Sequence, residues 1–356
     1  MRTCCANCFH NSHIVEIIER NNQNGNCSFC GAQYVFVINI CPEFSFKITY
    51  PLRGIKVAYR DSGYKIDELL TQHIDLLNPK TTPEAKKNLI RVLFENVIDE
   101  DDMNFTFILN PPQEKLGRSL LEAWEQFKEQ IRHENRFGFG INPRLKEALT
   151  EILTTNRKLI PKGEEYFRAR LGNPTGTRFY AYEKEEIMAA PKDMVSEGRI
   201  NPRGIPYLYI ASRSQTAIAE VRPYKGKNVS VAVVRLLEDL TISSFTNPIF
   251  HGKPLDSQVE LYNLTEQINF ELSKPVDEET KYLDYIPYQY ISEFAKHLGF
   301  EGIQYKSALE DGINVCVFYP DKVEWVESDL YEVTAIKVEA TNLDKPLRDQ
   351  VFNFEV

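Results

Sequence analysis

The sequence lacks any apolar run long enough to cross a bilayer. Its longest, Tyr34 to Ile40 with Asn39 interrupting, falls far short of the roughly 20 residues a spanning helix needs. The opening Met1-Arg2-Thr3-Cys4-Cys5 offers no apolar core for an export signal, so the expectation is a cytoplasmic protein with no membrane partner. An excess of basic charge is also missing: 42 Lys and Arg against 51 Asp and Glu leave a formal net charge of −9. That disfavours a broad nucleic-acid footprint, though not a local basic patch. There is no Walker A loop and no HExxH helix, which excludes the common phosphate cradle and the zincin site. Gly138-Phe139-Gly140 begins like a dinucleotide fingerprint but has no third glycine and no preceding strand, so it reads as a loop. The six histidines supply neither a Ser-His-Asp nor a Cys-His arrangement, and none follows an arginine at the Arg-x₄₋₆-His spacing of a nucleotide-acting helical bundle. Internal repeats and low-complexity linkers are absent too. What remains is 356 residues of ordinary globular composition, 42% hydrophobic and 26% charged, enough for two or three domains.

Five of the seven cysteines fall within the first thirty residues. Cys5-x₂-Cys8 and Cys27-x₂-Cys30 stand eighteen residues apart, a spacing that delivers four thiolates to one structural Zn²⁺. In a reducing compartment the bland alternative is a set of buried free thiols. Cys4 is a spare for Cys5, and His10 and His13 are further candidate ligands. With Gly31 turning the chain and Gln33 to Ile40 reading as a strand, residues 1–45 form an expected zinc ribbon.

Residues 60–156 carry helical periodicity. Ile66, Leu69, Leu70, Ile74 and Leu77 share one face before Asn78-Pro79, and Thr82-Pro83 opens a second helix. A third carries Leu120, Leu121, Trp124, Phe127 and Ile131, and a fourth begins after Asn142-Pro143. These stripes read as core faces of a scaffold or dimerisation module. From Tyr166 short strands take over: Tyr207 to Ala211, Asn228 to Leu236, Gly302 to Ser307 and Ile313 to Tyr319. Ser212-Arg213-Ser214-Gln215 fits a capping box for a helix that Pro223 stops. The Tyr-rich, acidic stretch between Phe245 and Tyr288 reads as a candidate lid.

The chemistry-bearing residues cluster in this last part. Phe167-Arg168-Ala169-Arg170 sets two arginines on one face of a strand; Gly198-Arg199-Ile200-Asn201-Pro202 offers a guanidinium in a flexible loop; Tyr209, Glu220 and Lys306-Ser307 follow. Singly, Arg168 and Arg199 read equally well as surface ion-pair residues, Tyr209 as core packing and Glu220 as a solvated helix residue.

Together, Tyr166-Phe-Arg-Ala-Arg170, Gly198 to Ala211, Thr216-Ala-Ile-Ala-Glu-Val-Arg222 and Gly302-Ile-Gln-Tyr-Lys-Ser307 resemble the RES domain, over about Ile160 to Trp325. The family's arginine, glutamate and serine match Arg168, Glu220 and Ser307, and Asn314 fits the pattern. The resemblance implies an α+β fold with an ADP-ribosyltransferase-like mixed β-sheet over residues 157–335, preceded by the helical module and ribbon and followed by an extension, 336–356. It also implies an NAD⁺-degrading toxin or defence effector, acting by hydrolysis or phosphorolysis, with an antitoxin or regulatory partner. The alternatives are ADP-ribosyl transfer to a protein, or a zinc-ribbon binding protein, nucleic acid included, with an inert RES-like domain. A homo-oligomer stays compatible with all three. On the family pattern Glu220, Tyr209 and Arg168 are catalytic, and Arg168, Arg199, Tyr209, Ser307 and Asn314 hold NAD⁺. Metal ligation falls to Cys5, Cys8, Cys27 and Cys30.

Overall fold

The computed structural model describes residues 2–58, 63–95, 97–98, 104–109, 119–137, 141–175, 179–246, 248, 250–274, 281–307 and 309–336. Gly138 to Gly140 and all but the first residue of the carboxy-terminal extension lie outside them. At the amino terminus β1 (Thr3–Cys5), β2 (Asn24–Gly25) and β3 (Val35–Asn39) form an antiparallel sheet in the order β1-β3-β2. Between β1 and β2 runs α1 (Ser12–Arg20), whose first turn is capped by the Asn11 side chain accepting from Ile14 N–H. α2 (Pro42–Thr49) follows with proline at its start.

The expected helical module is interrupted. β4 (Ile55–Val57) pairs antiparallel with β5 (Phe107–Leu109), and the pairing buries Phe107 and Leu109. α3 (Ile66–Glu68) does not continue to Asn78. It passes into a π-helical turn over Leu69–His73, after which Asp75 takes a left-handed conformation with φ 56°. The later helices start where their caps stand. α4 (Pro83–Leu93) is capped by Thr82, α5 (Leu120–His133) by Ser119, and α6 (Pro143–Thr155) by Asn142. Trp124, Phe127 and Ile131 are buried as their periodicity requires, whereas Leu121 is only half-buried.

An eight-stranded mixed sheet makes up the rest. It comprises β6 (Arg157–Ile160), β7 (Glu165–Leu171), β8 (Leu208–Ala211), β9 (Asn228–Leu236), β10 (Leu240–Ser244), β11 (Gly302–Lys306), β12 (Ile313–Val317) and β13 (Val323–Glu332). Their order is β13-β9-β7-β8-β12-β11-β10-β6, with β10 and β11 the one parallel pair. A parallel pair needs a crossover, supplied here by α9 (Leu255–Ser273) and α10 (Lys281–His297). These helices occupy the stretch read as a lid, and they are not one: Leu264, Ile268, Leu272 and Ile291 are fully packed. Two shorter helices, α7 (Lys184–Ile187) and α8 (Ser214–Glu220), lie against β7. The capping box before α8 does not form. Ser212 Oγ accepts instead from Ile313 N–H at 3.0 Å, tying the end of β8 to β12.

Side chains alternate across the sheet, so its two faces feed different cores. Val315 and Val317 belong to a cluster with Leu208, Ile210 and Ile242. Cys316 and Ile303 join a larger cluster that runs through α9, α10, α5, α6 and back to Cys4 in the amino-terminal sheet. The change at residue 157 is therefore one of secondary structure within a shared core. No described helix is long and apolar enough to cross a membrane.

Candidate active site

β7 and β8 are neighbours joined by a single residue pair, Phe167 with Ala211, so the two strands diverge on either side of it. The opening is a cavity of about 470 Å³, lined by β7, β8 and α8 together with Arg199, Arg222, Tyr285, Tyr305 and Asn314. Arg168 bridges the gap: one guanidinium nitrogen donates to the Tyr209 carbonyl at 2.9 Å, and Nε donates to the carbonyl of Ile187 in α7. Burial lowers its pKa to about 10, which still leaves it cationic at neutral pH.

The loop carrying Arg199 is held from several sides. Tyr209 Oη accepts from Ile200 N–H and Asn201 N–H at 3.1 and 3.2 Å and donates to Asn201 Oδ1 at 2.8 Å. Burial pushes the Tyr209 hydroxyl well above the ordinary tyrosine value of 10.0. From α10, Gln289 donates to the Gly198 carbonyl and Ser292 to the Ile200 carbonyl. Glycine is required at 198 by this close approach: a Cβ there would sit 2.3 Å from Asn201 Oδ1 and 2.8 Å from Tyr209 Oη. Arg199 itself donates to the carbonyls of Glu271 and Leu272, at 2.8 and 2.5 Å, in the last turn of α9. Those carbonyls have no partner within the helix, and a cation suits that end of its dipole.

The same turn of α9 is anchored on its other side by α5. The Glu271 carboxylate accepts from Lys128 Nζ at 2.6 Å, Trp124 Nε1 at 3.1 Å, Gln267 at 2.7 Å and the Tyr288 hydroxyl at 2.8 Å. Burial alone would raise its pKa, but the hydrogen bonds from Lys128, Gln267 and Trp124 outweigh that and hold it below the ordinary value of 4.5. Glu220 ends α8 at the cavity and is exposed. Its Oε1 accepts from Ser307 Oγ at 2.8 Å and from the buried Asn314 Nδ2 at 2.6 Å; among the described residues no partner is recorded for Oε2. The lining thus sets three arginines against one carboxylate, in a chain whose net charge is −9. Arg168 and Arg199 are already tied to backbone carbonyls, and Arg222 is exposed.

Residues 174–336 match the family model of the RES domain. That segment, a little under half of the chain, is similar to the RES domain. A chain of the crystal structure of the M. tuberculosis MbcT–MbcA toxin–antitoxin complex is similar over 52% of this chain and 93% of its own, with 14% identity and a TM-score of 0.32, a likeness too distant to assign a role. No curated protein matches in sequence.

Within and just before this matched segment, the structure brings Arg168, Arg199, Tyr209, Glu220 and Asn314 to one cavity. Arg168 stands six residues ahead of the matched segment yet belongs to the same sheet. Ser307 is not part of the lining; its hydroxyl donates to Glu220 and orients it. The Tyr209 hydroxyl is consumed by the loop, leaving only its ring for the cavity. Sequence reading passed over Arg222, Tyr285 and Tyr305 as site residues. Arg222 was within reach, two residues past Glu220 in the same block, whereas Tyr285 arrives only through the packing of α10.

The amino-terminal cysteines also converge. Sγ–Sγ distances are 3.8 Å for Cys5–Cys8, 3.4 Å for Cys5–Cys30 and 3.6 Å for Cys8–Cys27. A disulfide would bring two sulfurs to about 2.05 Å. Four sulfurs placed about 2.3 Å from a tetrahedral Zn²⁺ stand roughly 3.8 Å apart, so the donor set fits that ion. Hydrogen bonding to Cys27, with burial, pushes the Cys5 thiol up to about 12, while bonds from Cys5 and Cys8 draw Cys27 below the thiol range. Cys4 is buried in β1 beside Ile38 and is not one of the four.

Proposed function

We propose that this chain is an NAD⁺-cleaving enzyme of the RES type that breaks the bond between nicotinamide and ribose. The observation that carries the reading is Glu220, a carboxylate fixed by Ser307 and Asn314 at the rim of a cleft lined by Arg168, Arg199 and Arg222. The nicotinamide of NAD⁺ is already cationic and leaves with the bonding electron pair, without a general acid. Positive charge then builds on the ribose, and a fixed carboxylate nearby stabilises it. In hydrolysis a water oxygen bonds to the ribose carbon, and its proton passes to Glu220 or to solvent. The arginines suit the pyrophosphate, whose paired oxygens match guanidinium forks. Tyr209 and Tyr285 offer ring faces for the nicotinamide or the adenine.

The four amino-terminal thiolates are proposed to hold one structural Zn²⁺, which leaves no open position for catalysis. Residues 1–45, 60–156 and 157–335 then serve as ribbon, helical support and catalytic unit around the shared core. A toxin or defence role in the cytoplasm, with a neutralising antitoxin, follows from kinship to the RES domain. Incubating the purified chain with NAD⁺ alone tests the activity: nicotinamide appears without any acceptor protein. Free ADP-ribose, or its phosphate adduct when phosphate is supplied, distinguishes hydrolysis from phosphorolysis. Turnover that starts only on adding an acceptor protein would replace this reading with ADP-ribosyl transfer.

A further inference from the structure

A second cluster joins the amino-terminal unit to the RES domain. His10 follows the first cysteine pair, Asp75 follows the π-helical turn, and His251 lies in the turn that leads into α9. The three come from positions far apart in the chain, and their ligand-capable atoms all lie within 4.8 Å of one another. His10 Nδ1 is 2.6 Å from Asp75 Oδ1, and His251 Nδ1 is 2.5 Å from Asp75 Oδ2. The rings meet edge to face at 5.7 Å between centroids.

Asp75 is the unusual member. It is 4% exposed, its backbone is held at φ 56°, and no Lys or Arg is recorded as its partner among the described residues. The nearby Lys253 pairs with Glu151 instead. With no Lys or Arg beside it, this buried carboxylate relies on the two imidazoles, or on an ion they hold, to offset the cost of its burial. Two imidazoles and a carboxylate are also the donor set that divalent first-row ions take, with open positions left for water. The two histidine side chains are 46% and 62% exposed, so both rings have room to turn about the buried Asp75 carboxylate. Donor atoms bound at about 2.0–2.2 Å to one ion stand roughly 3.3 Å apart, a widening these exposed rings can supply.

We propose that His10, Asp75 and His251 bind one divalent transition-metal ion of the zinc type, which clamps the amino-terminal unit to the turn before α9. Asn11 braces the same junction, donating to the Lys253 carbonyl at 3.1 Å and to Gln258 Oε1 at 2.9 Å. The clamp does not depend on the NAD⁺ reading or on the cysteine site.

The test is the metal content of the full chain, produced in zinc-supplemented medium, dialysed against metal-free buffer and analysed for all first-row transition metals. Compared with the unaltered chain, His251→Ala is expected to lose one equivalent, and Cys27→Ser to keep the one held here. His251→Gln serves as the second variant, since it preserves polarity and removes the imidazole. A chain whose metal content is the same with and without His251, in both variants, overturns the proposal and leaves a hydrogen-bonded His–Asp–His contact. Loss of one equivalent from the His251 variants supports it, whatever Cys27→Ser does.

Discussion

Lys128→Met offers the sharpest test of how the helical segment supports the site. Lys128 is 7% exposed in its side chain and pairs at 2.6 Å with Glu271, itself 11% exposed. Methionine keeps most of the length of the side chain but removes the charge, whose Nζ lies 5.9 Å from the centre of the Trp124 ring. Breaking a buried pair from one side costs about 3–5 kcal/mol, because the remaining charge stays desolvated. Here Glu271 retains donors from Trp124, Gln267 and Tyr288, so the lower end, about 3 kcal/mol, is expected. Urea unfolding of the full chain measures it as a fall in midpoint at unchanged slope. Adding Glu271→Gln removes the stranded charge, so the double variant should recover about 1–2 kcal/mol relative to Lys128→Met alone. A loss below about 1 kcal/mol, together with strictly additive substitutions, would show that the pair stabilises no more than an exposed one.

Glu271 also sets an acid limit. Its folded pKa lies below the unfolded value of 4.5, so its stabilising contribution is complete above about pH 4.5 and fades as pH falls through the folded value. Unfolding midpoints measured from pH 6 to pH 3 should therefore drop less in Glu271→Gln than in the unaltered chain. Gly198→Ala places a Cβ against Asn201 and Tyr209, and a loss of about 1–3 kcal/mol is expected from the displaced loop, read by thermal melting. Arg222→Ala removes an exposed guanidinium from the cleft and should raise KM for NAD⁺ by about 10-fold or more with kcat little changed, measured by steady-state kinetics. Cys27→Ser or a strong chelator should lower the melting temperature through the amino-terminal unit while NAD⁺ binding persists, compared by calorimetry and titration.

Much of the fold was legible where local rules act alone. Thr82, Ser119 and Asn142 start helices because a side-chain oxygen meets free amide groups within three residues. β9 matches its valine-rich run, and β11 and β12 flank the Glu310-Asp311-Gly312 turn. What failed was decided at a distance. Ser212 left its expected cap for a backbone amide of β12, and Phe107 to Leu109 became a strand because Ile55 to Val57 stood alongside. The candidate lid turned out to be a packed helix pair because α5 and α6 cover it, which periodicity in one segment does not reveal. The site shows the same division. Arg168, Arg199, Glu220 and Asn314 stood in short recognisable blocks, but the consumption of the Tyr209 hydroxyl and the donation from Ser307 to Glu220 are matters of tertiary geometry.

In the proposed reaction Glu220 stabilises the ribose cation as NAD⁺ is cleaved in the cleft between β7 and β8. Nicotinamide release from NAD⁺, followed without any acceptor protein for the unaltered chain and for Glu220→Gln, tests it most directly. The glutamine variant keeps the shape and loses the charge that stabilises the ribose cation. Its kcat should fall by about 10²–10³-fold with NAD⁺ binding retained. Equal rates of nicotinamide release from the two proteins would rule out that role for Glu220.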